Sequence, residues 1–513
     1  MNQPSAVRLT SSSLLARNTT LNLIGEGWTF IVLVAAMPKV VAFLGETGFG
    51  LFSLAWVVIS YLNFLDIGVS RAATKFISEH LVEQDCDSVH SVIRAALLSN
   101  VTLGLIGALF VACTTPYLVH TAFKISPDLQ HQARVTFYII AIAVPVLLVQ
   151  GVFRGVLSSF QRFGWINVVN AVAVTTQWVL AAVLSWRGFG VALVVLVTVV
   201  VRVIATLAFG GVVWRSLPDF RLLKKDDLRI ALKLLRFGSW VTVSQVISPV
   251  LVYFDRMLIA SFVSLSAVTL YSVPFEAITR LRVIPSNMMS TLYPAFSERG
   301  LSGLEVQFQN LYERSIRYLS LLLLPGILFL LFFGSDVLSL WMGASFARQT
   351  TAVLEVLALG VLANGIAYVP YNMLQAAGRP DLTGKFHLLE LPVYIAMCFA
   401  LIPRWGIIGA ALASTVRFVL DAGLLFWGVR KYCGCSLRAF WTNAFRRLIG
   451  LTSTFAVGLF IVRDAISGPW GRIGGGTFCL TVYFAAAWFL VIDQREKPSL
   501  NAAFRIFRSQ PAS

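Results

Sequence analysis

Apolar runs long enough to cross a lipid bilayer recur along the whole chain, separated by short polar or charged breaks. A hydrocarbon core about 30 Å thick needs roughly 20 apolar residues per helix. On that measure the pattern predicts fourteen spans, over residues 16–43, 48–70, 91–113, 133–157, 164–186, 189–214, 237–262, 267–296, 315–334, 349–377, 385–403, 407–430, 443–463 and 473–492. The longest of these must tilt or project as helix beyond the bilayer. A β-barrel would show segments of about ten alternating residues instead. The expected fold class is therefore an all-α polytopic membrane protein with about 14 transmembrane helices.

Fourteen spans put both termini on one side. With that side inward, 28 of the 41 Lys and Arg lie in inward loops, tails or helix ends. Seven lie in outward loops or at the helix ends beside them: Lys39, Lys124, Arg187, Arg348, Arg404, Arg463 and Arg472. Basic residues collect in cytoplasmic loops, so the N- and C-termini are expected in the cytoplasm. The same rule accounts for the net charge of +17 without invoking nucleic acid as a partner. Composition agrees: 57% of residues are hydrophobic and only 13% charged, against about a quarter charged in a soluble domain. The polar first 16 residues lead into no short apolar run with a cleavage site, so the first span is expected to be retained. The stretch "LPDFRLLKKDDLRIALKLLRF" between spans six and seven reads as a basic surface helix on the inner leaflet.

Shifting the sequence by about 219 residues aligns its halves. "LLAR" ending at Arg17 meets "KLLR" ending at Arg236, and "LFSLAW" at Leu51 meets "LYSVPF" at Leu270. "VLSSFQR" ending at Arg162 meets "MLQAAGR" ending at Arg379, and Arg202 meets Arg417. The order and spacing point to a duplicated six-span unit. An even number of spans per copy makes the repeats parallel. The expectation is two six-helix lobes around a central cavity: an N-lobe over 1–215, a cytoplasmic linker over 216–236 and a C-lobe over 237–431. Two additional helices over 432–492 and a cytoplasmic tail over 493–513 follow.

Polar residues recur on single faces inside the spans. Span one carries Asn18, Asn22 and Glu26; span two carries Asn63, Asp66 and Ser70. Span seven carries Gln245, Ser248, Asp255 and Arg256, and span eight carries Ser272, Glu276, Arg280 and Arg282. Span ten carries Asn364, Tyr368, Tyr371 and Gln375, and span twelve Arg417 and Asp421. A charge at the bilayer centre costs roughly 2.5–3.5 kcal/mol on translocon scales, so such stripes face protein or water. Asp255, Arg256, Glu276 and Arg280 share one layer of the hairpin formed by spans seven and eight. They read either as a structural ion cluster, pairing Arg256 or Arg280 with Glu276, or as part of a cavity. Arg280 and Arg282 diverge around the helix, so one neighbour cannot satisfy both. Glu26 is mid-helix without a local partner, as a proton or cation site would be.

Several chemistries lack their signatures. There is no Gly-x-x-x-x-Gly-Lys-Ser/Thr phosphate loop. The five histidines form no His-x-x-x-His pair, and Cys433-Gly-Cys435 reads as free thiols. No outward loop is large enough to hold a catalytic domain. No enzyme activity, cofactor or metal is expected.

The string "VVAFLGETGFGLFSLAWVVISYLNFLDIGVSRAATKFISEH" resembles the first two helices of polysaccharide flippases of the multidrug/oligosaccharidyl-lipid/polysaccharide exporter superfamily. The matching positions are Leu44-Gly45, Glu46, Gly48-Phe49-Gly50, Tyr61, Asp66 and Gly68. "FDRMLIASFVSLSAVTLYSVPFEAI" is similar to that family's helix seven–eight hairpin, with Asp255-Arg256 before the turn and Tyr271-Ser272 after it. "LYPAFSE" at Leu292 resembles the segment that closes helix eight. The resemblance covers residues 15 to 430. It implies twelve core helices in two lobes, often with two more. It further implies flipping of an undecaprenyl-pyrophosphate-linked oligosaccharide across the bacterial inner membrane, for O-antigen or exopolysaccharide biosynthesis. A glycan polymerase and glycosyltransferases would then be partners beside the lipid-linked substrate and membrane lipid. On this reading Arg256, Arg280, Arg282, Asn364, Tyr368 and Gln375 are the expected substrate contacts. Glu26, Asp66, Asp255 and Glu276 are the expected coupling or ion-cluster residues. Relatives that flip the peptidoglycan precursor carry arginines in helices one, two and eight; this chain has Glu26 and Asp66 in the first two. The competing readings are a cation-coupled multidrug exporter of the same superfamily and a non-transporting scaffold of a glycan-synthesis complex.

Overall fold

The computed structural model describes residues 12–66, 68–82, 85–217, 230–232, 250–289, 292, 296, 305–435 and 443–492. The sixth-to-seventh-span linker, most of its basic surface stretch, Gln245, Ser248 and the C-terminal tail lie outside the described residues, as do the side chains of Asn18, Asn22 and Asn63. The fold is all-α, and no strand occurs among the described residues.

The helices are α1 (Ser12–Leu62), α2 (Val69–Val82), α3 (Cys86–Tyr117), α4 (Pro127–Ser159), α5 (Phe163–Trp186), α6 (Val191–Ser216), α7 (250–262) and α8 (Leu265–Thr279). They continue as α9 (283–289), α10 (Glu305–Met342), α11 (Ala344–Ala376), α12 (Pro380–Tyr432), α13 (Asn443–Ala465) and α14 (Pro469–Leu490). Among the described residues ten helices are long and apolar enough to cross a membrane. Two of these each hold a pair of the predicted spans. A straight helix of 51 residues, the length of α1, would run about 77 Å at 1.5 Å per residue. It breaks instead at Gly45 (φ 71, ψ 165), and α12 breaks at Gly406 (φ 56, ψ −131). Both conformations lie where a Cβ is strongly disfavoured, so glycine sets the span boundary. Apart from a turn at Gly68 and a few end residues, the predicted spans coincide with helix wherever the chain is described.

Hydrocarbon offers no hydrogen bonds, so each spanning segment must satisfy its own backbone, and helices do so internally. The side chains left outside are apolar: Leu109, Phe110, Ile142, Trp470 and Phe489 are all well exposed, as suits lipid contact. At the polar break before α3, Asp85 caps the helix by accepting from the Ser88 N–H at 3.0 Å. The hydrogen bonds from Ser88 hold the Asp85 carboxyl below the usual carboxylate range.

The chain divides into two compact units. The first is Met1–Ser272 with Cys398–Ile407, and the second is Val273–Met397 with Ile408–Ser513. In the first, α3 packs on α4, α4 on α6, and α1 on α5. The core around α2, α3 and α4 gathers Val69, Ala73, Ile93, Val152 and Val156. In the second, α10 packs on α11, α13 and α14. Its core runs from Phe296 and Tyr312 through Phe333 and Met373 to Tyr483. Arg472 at the start of α14 reaches Asp336 of α10 at 3.6 Å.

The first unit extends to Ser272 because the α7–α8 turn is docked on the N-terminal helices. Thr269 Oγ1 donates to the Glu46 carbonyl at 2.5 Å, and Lys124 Nζ donates to the Phe262 carbonyl at 2.7 Å. Phe262 also meets Phe399, from the break in α12, with ring centroids 5.8 Å apart. Glu46, Lys124, Phe262 and Phe399 lie at or beside turns predicted to face outward. Their meeting is what the alternation of fourteen spans requires. Gly50 makes the closest approach: a Cβ there would sit 1.8 Å from the Leu265 carbonyl oxygen. Gly50→Ala should therefore lower stability by about 1–3 kcal/mol through overpacking. Gly211→Ala, at a position with nothing within 4 Å, should be neutral or mildly stabilising in the same thermal unfolding assay in detergent.

Candidate functional site

The acid–base pair in the seventh span lies on α7, about two turns from its C-terminal end. Asp255 is 1% exposed and Arg256 2%. A pair buried this deeply must be answered by hydrogen bonds, and α8 supplies them. Ser264 caps α8 by accepting from the Ala267 N–H at 3.1 Å, which reverses the chain. Residues sixteen positions on then come level. The Tyr271 hydroxyl donates to Asp255 Oδ2 at 2.5 Å, and Arg256 Nε donates to Ser272 Oγ at 3.2 Å. Asp255 Oδ1 also accepts from the Arg256 backbone N–H at 2.7 Å. The guanidinium donates to the Val252 carbonyl at 3.4 Å and lies 5.1 Å from the Tyr253 ring centroid. The Asp-Arg and Tyr-Ser motifs thus form one clamp between two helices. In this conformation Arg256 serves that clamp and offers almost no accessible surface.

Asp66 is held as firmly. It ends a short 3₁₀ turn, Asn63–Asp66, before α2. Its carboxylate accepts from the Ser70 N–H at 3.2 Å, the Ser70 hydroxyl at 2.8 Å and Asn100 Nδ2 at 2.6 Å. Asn100 Nδ2 also donates to the Leu148 carbonyl at 3.0 Å. This one network ties α2, α3 and α4 together. Glycines let those helices approach: a Cβ at Gly155 would lie 2.7 Å from Thr74 Oγ1, and one at Gly151 3.0 Å from Ser70 Oγ. Glu26 is exposed on α1, and no described residue pairs with it.

Two arginines of the first unit have a different standing. Arg154 of α4 lies close enough to Arg202 of α6 for their charges to oppose each other. Arg202 stacks over the Trp56 ring at 5.5 Å, and its Nε has no partner. Among the described residues no carboxylate compensates either guanidinium. Like charges on packed helices are unfavourable in a low dielectric, and an anion between them would relieve the cost.

In the second unit the residues after α8 separate as their spacing predicts. Arg280 meets Glu276 one turn back at 3.7 Å. Arg282 turns to α11, where Nη2 donates to the Tyr368 hydroxyl at 3.2 Å and the guanidinium lies 5.8 Å from its ring centroid. Arg282 Nε is without a partner. One turn before Tyr368, Asn364 is buried with its Oδ1 unbonded. Gln375 lies about 10 Å further along α11 and donates to Thr383 Oγ1 at 3.2 Å, bridging to α12. The structure therefore brings Arg282 to Tyr368, with Asn364 one turn away on α11, and pairs Arg280 with Glu276, while Gln375 stands apart. The proximity of Arg154 to Arg202 was not legible in the sequence. Both were visible as arginines within or at the end of spans, but which helices neighbour each other is a tertiary fact.

The family described as "Polysaccharide biosynthesis protein" matches residues 15–299, more than half of the chain. The chain belongs to this family. It is 26% identical over 433 residues to a Shigella flexneri protein named "Putative O-antigen transporter", covering 82% of this chain and 98% of that one. Among solved structures, the lipid II flippase MurJ in an inward closed conformation aligns with a TM-score of 0.69 at 14% identity, over 91% of this chain and 98% of that chain. An inward-facing multidrug resistance MATE family transporter of the MOP superfamily aligns at 0.68 and 14% identity, over 83% of this chain and 99% of that chain. The fold is thus that of the superfamily, and this polysaccharide biosynthesis family member is a multi-pass membrane protein. The motifs that resemble the family have structural explanations in this member: close approach at Gly50, the Asp66 network and the Asp255–Tyr271 clamp. Tyr271→Phe should cost about 1–3 kcal/mol, because it leaves a buried carboxylate short of a donor. Ser272→Ala should cost less, since Arg256 keeps its other contacts. Thermal unfolding of both variants in detergent checks the order.

Proposed function

We propose that the protein is a flippase that moves an undecaprenyl-pyrophosphate-linked oligosaccharide repeat unit from the inner to the outer leaflet of the bacterial inner membrane, by alternating access, for cell-surface polysaccharide biosynthesis. The observation that carries the proposal is arginine without acid inside the spans. Among the described residues no carboxylate pairs with Arg154 or Arg202 in the first unit, and Arg282 keeps an unbonded Nε in the second. A sugar head loses its hydrogen bonds in hydrocarbon, and a pyrophosphate costs far more. Guanidinium groups that keep exposed surface inside the spans supply bidentate donors matched to phosphate oxygens. Tyr368 beside Arg282 supplies an aromatic face, and Asn364 one turn before it a buried, unbonded amide oxygen, both suited to sugar. The family match and the name of the Shigella relative support the same substrate class.

Arg280, Arg256 and Gln375 stand further from the reaction path on this reading, as supports that hold the helices bearing Arg282 and Tyr368. Glu26, Asp66, Asp255 and Glu276 remain the proposed ion-cluster set, with Glu26 the exposed member. Both termini are placed in the cytoplasm by the charge bias, where glycosyltransferases would deliver the substrate; a polymerase would receive it outside. A cation-coupled multidrug exporter shares the fold, as the MATE alignment makes plain. Uncompensated arginines repel a cationic drug, which favours the glycolipid.

In a strain whose surface polysaccharide depends on this gene, Arg154→Ala with Arg202→Ala should lower export roughly tenfold or more, the scale of a lost charged hydrogen bond. Arg280→Ala with Arg282→Ala should do likewise, while Arg→Lys at 202 and 282 should restore export only in part. Surface glycan is measured on cells matched for protein level. Intact export in both double variants, with new drug sensitivity in the deletion strain, would instead support the exporter.

A further inference from the structure

The second unit buries a second set of charges, of opposite sign. Glu390 lies sixteen residues before the Gly406 break in α12, and Asp421 fifteen after it. Equal helical rise on both legs brings them level. Phe386 against Trp427, with ring centroids 6.1 Å apart, shows the same register nearer the ends. His387 sits one turn from Glu390, on the same face. Its Nδ1 lies 3.8 Å from Glu390 Oε2. One ligand atom from each of His387, Glu390 and Asp421 lies within 4.8 Å of the other two.

Glu390 is 2% exposed and Asp421 5%. Among the described residues, both Glu390 oxygens, Asp421 Oδ1 and His387 Nδ1 have no hydrogen-bond partner. Buried polar atoms are rarely left so, and four of them on three neighbouring residues need an explanation. Arg417, one turn from Asp421, does not supply it. Its guanidinium stacks on Phe418 at 4.3 Å and Tyr394 at 5.4 Å, and among the described residues it forms no ion pair with either carboxylate. Two facing carboxylates against one nearby guanidinium leave a negative site in an apolar surround. Such a site calls for a cation.

The donor set decides which. Sodium, magnesium and calcium prefer all-oxygen sites, whereas an imidazole with two carboxylates suits zinc, manganese or iron. Two ligands roughly 2.1 Å from a tetrahedral metal lie about 3.4 Å apart, close to the 3.8 Å between His387 and Glu390. His387 keeps 32% of its side chain exposed, which gives a path from the surface. We propose that His387, Glu390 and Asp421 bind one divalent transition-metal ion, which ties the two legs of α12 together. The site shares no residue with the proposed substrate contacts, and it stands or falls independently of them.

The test is zinc binding to the full-length protein, purified in detergent with its affinity tag removed. Calorimetric titration with Zn²⁺ alone should give one equivalent per chain. Glu390→Gln and His387→Ala should each weaken binding at least tenfold. Asp381→Asn, an exposed acid on the same helix that pairs with Lys385 at 3.0 Å, should bind as the wild type does. Zinc should raise the unfolding temperature of the wild type and of Asp381→Asn, and leave the two site variants unmoved. His387→Ala alters the partly exposed member, so it keeps the test decisive if Glu390→Gln fails to fold. Absence of stoichiometric uptake by the wild type, as a proton shared between the carboxylates would produce, overturns the proposal. Equal uptake by the wild type and both site variants overturns it as well, marking the binding as adventitious.

Discussion

A polar group inside a bilayer has no water to turn to, so it must be answered from within the protein or by what the protein carries. That constraint sorts the charged residues of this chain into two kinds. Asp66 and Asp255 are answered: each carboxylate takes hydrogen bonds from a neighbouring helix and so fixes that helix in place. Glu390 and Asp421 are buried with atoms that lack partners among the described residues, and Arg154 and Arg202 keep like charges near each other. The first kind explains the fold. The second kind is where function is to be sought, because leaving it unanswered costs stability that packing has to offset.

The answered groups depend on close backbone approach, which small residues provide. Gly50 against Leu265, Gly151 against Ser70 and Gly155 against Thr74 bring helices near enough for side-chain bonds to form. Without hydrophobic exclusion between helices in lipid, such contacts and the hydrogen bonds they admit carry much of the association. This accounts for motifs that look like substrate signatures in the sequence. Asp-Arg followed by Tyr-Ser sixteen residues later is a clamp across one hairpin.

The unanswered groups have matching logic with opposite sign. Arginines without acids suit a pyrophosphate-linked glycan, and facing carboxylates with an imidazole suit a dication. Different helices carry the two features: the acidic set spans the legs of α12, whereas the arginines lie on α4 and α6 and beside α11.

The sequence by itself determined the spans, because hydrophobicity along a chain is a local property and helices satisfy their backbones locally. Gly45 and Gly406 fall between predicted spans for the same reason. The divergence of Arg280 and Arg282 was also legible, since helical periodicity fixes which neighbours can share a face. Only the tertiary structure decided which charges meet. Arg256 bonds Ser272, the charges of Arg154 and Arg202 oppose each other, and Glu390 meets Asp421 across a glycine break. Each of these depends on which helices neighbour each other and at what height. A pattern of apolar positions does not encode that, because lipid-facing and helix-facing residues in a membrane protein are alike in their hydrophobicity.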